Sequence, residues 1–468
     1  MGQPGLELAD DARPPGPAAP YFSGWHTLLC SVLVSVLVVI YAWPWPAFPL
    51  LQLDHPEESL ERLVSSEMDL RAALEGAPAW GRALYALAAG PGEPVEESIV
   101  WYEELTDTLD APRAEIYRQI LLAEAGRLPA ADPTLASAAW MRAAHGQEPP
   151  EADVGRAVIA EIRERLPENW FADRLVARVA SRIGDGAIQA QAESAIAKRG
   201  AALLRRFLLL AVGQALLLAL GLAALARLAT RRPAAAIGEA PLPPRWPVRD
   251  GYALFVRGAL GLLGVGVVAS LLLPDGSPAL RLAGFAAGLP MLWWAWHYLR
   301  AAGGSAATAF GLRLTPGGGG HLVTVTCALI GLGIAGDLGI AGAAGALGLR
   351  THWADGFPEE ILWDPPWLVA AGALDGGVWT PIVEEIAFRG VLFGTLRSAA
   401  GVMPAVVASA AIFAAAHGYG PAGFASALWS GILWAAAYER TRSLVPGLLA
   451  HGVNNVTVTV TYLWLYRV

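Results

Sequence analysis

Glu384 and Glu385 stand side by side in the run Glu384-Glu385-Ile386-Ala387-Phe388-Arg389, inside a long apolar stretch that begins near Trp367. Downstream, His417 and His451 fall in or at the ends of further apolar segments, and Asn455 follows the second. Ionisable groups at membrane depth are expensive and are functional candidates by default. On a helix, Glu385 and Arg389 are four residues apart, so they face each other and can pair, which lowers the cost of both charges. Glu384 is rotated by about 100° from Glu385, which leaves it available for reaction. His451 and Asn455 share a face by the same four-residue spacing, and Phe413 sets an aromatic ring beside His417.

These groups suit hydrolysis. A carboxylate in a low-dielectric cavity, with an imidazole nearby, takes a proton from water and passes it to a leaving amine. A second imidazole and a carboxamide donate hydrogen bonds to a developing oxyanion. One carboxylate and two imidazoles, Glu384, His417 and His451, would alternatively hold a divalent metal such as zinc with an open water position. Spacing does not separate the two mechanisms. Taken singly the residues have plainer roles: a structural pair for Glu385 and Arg389, a helix-end histidine for His417, interhelical glue for Asn455. Their joint occurrence within a short stretch favours chemistry. His297 reads as interfacial, and Asp337, in a glycine-rich run, has no assigned role.

In this order on successive apolar segments, Glu384-Glu385-x-x-x-Arg389, Phe413-x-x-x-His417 and His451-x-x-x-Asn455 resemble the CPBP family. These are the CAAX-processing and bacteriocin-processing intramembrane endopeptidases, whose eukaryotic member is the Ras-converting CAAX endopeptidase. The resemblance implies that Glu384 and His417 activate the water while His451 and Asn455 stabilise the oxyanion. Glu385, Arg389 and Phe413 are then supporting residues. It also implies a membrane-associated peptide or protein substrate, prenylated or bacteriocin-like, and leaves a metal and a metal-free glutamate mechanism equally open. No His-Glu-x-x-His metal helix is present to suggest a different protease chemistry.

The elements that must position these groups are helical and membrane-embedded. The chain has 468 residues, 55% hydrophobic and 16% charged, which is too apolar for an ordinary soluble enzyme. A bilayer core of about 30 Å requires about 20 apolar residues per helix. Nine segments are candidates: 25–43, 207–229, 253–273, 283–300, 322–349, 367–396, 404–417, 423–438 and 444–466, of which 404–417 is short for a span and fits a tilted or partly inserted helix. Tryptophans such as Trp25, Trp43, Trp293 and Trp296 lie near their ends, as an aromatic belt would place them. The expected fold is therefore an all-α polytopic membrane protein of about nine spans with an inserted all-α soluble domain.

Five parts follow along the chain: a Pro/Gly/Ala-rich disordered start (1–24), an anchor helix (25–52), the soluble helical domain (53–200), membrane spacer helices and linkers (201–320), and the protease-like core (321–468). Within 53–200, short helices separated by Pro-Gly-Glu-Pro (91–94), Ala-Asp-Pro (131–133) and Glu-Pro-Pro (148–150) have the spacing of a hairpin-repeat array or, equally, of an irregular bundle.

The net charge of −8 and the lack of a basic tract argue against a nucleic-acid partner. Cys30 and Cys327 lie in separate apolar segments and suggest neither a disulfide nor a thiolate zinc site. Arginine bias in short loops, with Arg231, Arg232, Arg245 and Arg249 on one side, places 53–200 outside the cytoplasm of a bacterial inner membrane, although Lys198, Arg199, Arg205 and Arg206 oppose it. The sequence-level expectation is an intramembrane endopeptidase. The alternative is a non-catalytic membrane scaffold whose soluble helical domain binds a protein partner.

Overall fold

The computed structural model describes residues 21–42, 49–89, 94–127, 138–230, 236–244, 246–349 and 352–467. The expected disordered start, residues 1–20 in particular, and the Ala-Asp-Pro separator lie outside them. Among the described residues the chain is helical, and its one β contact is an isolated bridge between Gly238 and Leu314.

After α1 (Gly24–Ala42), seven helices build the polar region: α2 (Pro56–Glu75), α3 (Ala79–Ala89), α4 (Pro94–Thr108), α5 (Pro112–Glu124), α6 (Ala138–His145), α7 (Ala152–Arg165) and α8 (Trp170–Arg182). Proline punctuates them as starts rather than stops. Pro56, Pro94 and Pro112 each open a helix, where the missing N–H has no partner to lose and φ is already helical. Asn169 caps α8 by accepting from the Ala172 N–H at 3.1 Å, and its own amide donates to Glu61 at 2.8 Å, which ties α8 to α2. Tyr117 stacks on Phe171 at 4.2 Å, with Tyr102 edge-on to both. Each such buried ring contributes about 1.5–3 kcal/mol from area alone.

The boundary between polar and apolar parts runs inside one element. α9 (Gly186–Thr230) is a single 45-residue helix. At 1.5 Å per residue it is about 68 Å long, twice a bilayer core. Its first half packs on α2 and α8, and its second half is apolar and turns Leu209, Leu216 and Leu220 outward. Arg199, near the middle, binds Asp69 and Asp173, both at 2.7 Å. That arginine is neutralised by the polar unit and carries little weight in a count of loop charges.

The rest of the chain comprises α10 (Val248–Leu272), α11 (Pro278–Ala287), α12 (Leu289–Ala301), the single turn α13 (Ala306–Ala309), α14 (Gly319–Ala346) and α15 (Glu359–Trp363). Then follow α16 (Pro366–Leu374), α17 (Thr380–Glu384), α18 (Gly394–Ala400), α19 (Val402–Ala416), α20 (Pro421–Thr441) and α21 (Val445–Tyr466). Helices thus stand at all nine apolar segments. Among the described residues, α9, α10 and α14 are long and apolar enough to cross a membrane, and Gly24–Val39 and α19 are shorter apolar helices. Asp337 does not break α14; it accepts a hydrogen bond from Ser426 of α20. His297 stacks on Trp293 at 5.1 Å, and both cysteines are free.

The core of the polar unit is completed from outside it. Its hydrophobic cluster, with Tyr102, Tyr117 and Phe171, continues into Trp353, Ala354, Phe357, Ile361 and Leu362 from the segment between α14 and α16. Arg62 donates to the Tyr466 carbonyl at 2.7 Å, and Arg281 binds Asp54 at 2.9 Å. These contacts put the polar unit and the end of α21 at the same end of the bundle.

Candidate active site

The acids sit on a composite helix from Pro366 to Ala400, interrupted by two π-turns, Asp375–Trp379 and Glu385–Phe393. Such wide turns insert an extra residue and recur at functional sites. The first has a legible cause. The Thr380 N–H bonds the Asp375 carbonyl, so the Gly376 carbonyl would need the N–H of residue 381. That residue is Pro381, which has none. Asn455 of α21 fills the gap: its Nδ2 donates to the Gly376 oxygen at 2.8 Å. A carboxamide nitrogen has two hydrogens, so this bond orients the group and leaves one donor uncommitted. α21 comes this close because residue 452 is glycine; a Cβ there would lie 2.6 Å from the Gly377 oxygen.

The second π-turn begins at Glu385, and the two glutamates diverge in environment. Glu385 is fully buried, with its Oε1 3.0 Å from Arg389 Nη1 and 3.2 Å from His451 Nδ1. Arg389 is itself 1% exposed, and its guanidinium lies over the rings of Phe413 (4.1 Å) and Trp434 (4.9 Å). Two aromatic faces and one carboxylate therefore balance a charge that a dry interior would otherwise reject. Glu385 Oε2 has no hydrogen-bond partner; Glu384 keeps 24% of its side chain accessible, but its Oε2 is itself buried and also has none. That oxygen is 3.6 Å from His451 Nε2, too long for a direct hydrogen bond.

His451 therefore has one ring nitrogen towards each acid. An ionised Glu385 only accepts, so Nδ1 carries the proton on that side and Nε2 faces Glu384. Trp434 stacks on the imidazole at 4.2 Å and fixes its plane. His417 ends α19 with its Nδ1 2.8 Å from the Phe413 carbonyl, which assigns the proton to Nδ1 and leaves Nε2 as an acceptor. Its ring meets Phe413 edge-on at 4.6 Å, and Phe413 meets His451 at 6.1 Å.

The structure thus assembles Glu384, Glu385, Arg389, Phe413 and His451 in direct contact. It brings His417 to them through Phe413, and Asn455 through Gly376. Neither His417 nor Asn455 is hydrogen-bonded to Glu384. Among the described residues no three His, Cys, Asp or Glu side chains group to hold a metal ion, so the set Glu384, His417 and His451 is not assembled as a ligand sphere. Trp434, Tyr419 and Asp355 escaped the sequence reading. Tyr419 stacks obliquely on His417 at 5.3 Å and lies in the field of the Glu384 carboxylate. Its place two residues after His417 was the available signal. Asp355 accepts from the Gly420 N–H at 2.9 Å and so straps the 352–358 segment over the His417 end of the site.

Residues 365–457 match the model of one family, type II CAAX prenyl endopeptidase Rce1-like. This segment is Rce1-like. The resemblance to the CPBP endopeptidases drawn from three short motifs is borne out over it. The Rce1-like segment runs from the residue before α16 into α21 and contains Glu384, Glu385, Arg389, Phe413, His417, His451 and Asn455. The polar unit and the helices from α1 to α15 lie outside it. No curated protein and no solved structure matches the chain. A membrane protein that carries a CAAX-endopeptidase-like segment is the coarse identity that follows.

Proposed function

We propose that the chain hydrolyses a peptide bond of a membrane-associated substrate, prenylated or bacteriocin-like, by a water that Glu384 activates. The observation that carries this reading is the split between the two acids. Glu385 is buried, with its Oε1 committed to Arg389 and His451, whereas the Glu384 side chain is partly accessible, is not bound to Arg389 and faces the second nitrogen of the same imidazole. In the attack, Glu384 takes the proton from water and returns it to the leaving amine. As an imidazolium, held by Glu385 and Trp434, His451 supplies its Nε2–H as a donor at the developing charge, and the uncommitted N–H of Asn455 is the second. His417 assists Glu384 through its unprotonated Nε2. No step is routed through a metal; Glu384 and His451, whose Oε2 and Nε2 are 3.6 Å apart, are the residues that would hold one.

In this reading all nine apolar helices cross a bacterial inner membrane, with the polar unit outside the cytoplasm. Neutralisation of Arg199 by Asp69 and Asp173 supports that orientation, since it removes one of the charges opposing the arginine bias. The test is cleavage of a quenched peptide library, prenylated and unprenylated, by the full chain in nanodiscs. Glu384→Gln should lower the rate by about 10²–10⁴-fold. Cleavage unchanged in that variant would overturn the mechanism, and inhibition by a chelator would restore a metal. No cleavage of any peptide by the wild type would favour a scaffold.

A further inference from the structure

At the end of the bundle away from the polar unit, three helix ends converge on a cavity of about 830 Å³ lined by α9, α14 and α20. Its inner wall is apolar, formed by residues such as Leu228, Val325, Leu329 and Leu433. Two arginines and a histidine stand on its rim. Arg227 lies in the last turn of α9, Arg440 in the last turn of α20, and His321 in the first turn of α14. No carboxylate lines the cavity, and neither arginine has an ion-pair partner among the described residues.

A single arginine at a helix C-terminus needs no ligand, because it offsets the negative end of the helix dipole. Two of them on the rim of one cavity repel each other, and the positive N-terminus of the 28-residue α14 adds to the same field. An anion between them would offset that repulsion. Below that anion the wall offers only hydrocarbon, at helices that cross the bilayer.

We propose that this cavity binds an anionic phospholipid from the leaflet opposite the polar unit. The phosphate sits between Arg227 and Arg440, and one acyl chain lies along the Leu228–Leu329–Leu433 wall. The bound lipid would tie α9 and α14 to α20, the helix that carries Trp434 against His451.

The experiment uses the full-length protein in detergent and reads lipid retention by native mass spectrometry, with the melting temperature as a parallel readout. Phosphatidylglycerol should be retained over phosphatidylcholine by about tenfold or more. Arg227→Gln with Arg440→Gln should erase that preference while leaving the lipid-free melting temperature near that of the wild type. Should the double variant fail to fold, the wild type remains decisive, since its headgroup preference must fall as ionic strength rises. Equal retention of the two lipids by the wild type, a preference insensitive to salt, or a preference kept by a folded double variant overturns the proposal. So does stabilisation by inorganic phosphate equal to that by the lipid, which would mark a site for a free anion.

Discussion

Trp434 lies flat against His451, with ring centroids 4.2 Å apart and planes inclined by 20°. The same indole lies beneath the Arg389 guanidinium at 4.9 Å, so one residue of α20 locks both the imidazole and the cation that neutralises Glu385. The buried pair is therefore part of a stack rather than an isolated charge contact.

Breaking that stack from the cation side leaves Glu385 charged, buried and unpaired. Arg389→Leu should destabilise the protein by about 3–5 kcal/mol. Replacing both partners, Glu385→Gln with Arg389→Leu, should recover much of that loss. Thermal unfolding of the detergent-solubilised protein measures both. Equal melting temperatures for wild type and Arg389→Leu would refute the assignment.

Asn455 has a structural and a proposed chemical duty, and the two are separable. Asn455→Ala removes both donors and should lower kcat by about 10²–10³-fold. Asn455→Asp also lacks an N–H for the Gly376 carbonyl and should not restore activity. If the residue only tied α21 to the π-turn, kcat and melting temperature would fall together. A loss of kcat far larger than the accompanying fall in melting temperature marks the chemical role.

Gly452 permits the close approach of α21 to the Gly377 carbonyl. A Cβ 2.6 Å from that oxygen meets backbone, which has little freedom to give. Gly452→Val should cost about 1–3 kcal/mol and displace the neighbouring His451, lowering kcat well beyond the stability effect. A crystal or cryo-EM structure of the variant would register the shift. A fully active Gly452→Val protein would contradict the packing described.

In the polar unit, burial raises Asp69 from its ordinary 3.8 to about 6, against the opposing hydrogen bonds from Arg199. The folded state therefore holds this proton more tightly than the unfolded chain does. The resulting stability is fully present below pH 3.8 and is lost as pH rises through about 6. Across that window the stability of the wild type relative to Asp69→Asn should fall with increasing pH. Denaturant titrations at several pH values measure it, and a difference independent of pH would remove Asp69 as the cause.

The sequence by itself determined the helical, membrane-embedded class and singled out the polar groups that the candidate site brings together. Hydrophobic period and length are local properties, and a four-residue spacing on one helix already pairs Glu385 with Arg389 and frees Glu384. Motif order carried the resemblance that the Rce1-like match supports. What only the tertiary structure decided involves partners distant in the chain. Pro381 left a carbonyl without a donor, and the donor came from Asn455, 79 positions away from Gly376. Trp434 belongs to no motif, yet it orients His451. The 353–362 segment reads as a loop, yet its aromatic residues complete the core of the polar unit and Asp355 straps the Tyr419–Gly420 turn. A helix declares its faces through its own period, but which groups meet across helices depends on π-turns, glycine contacts and packing that no local pattern encodes.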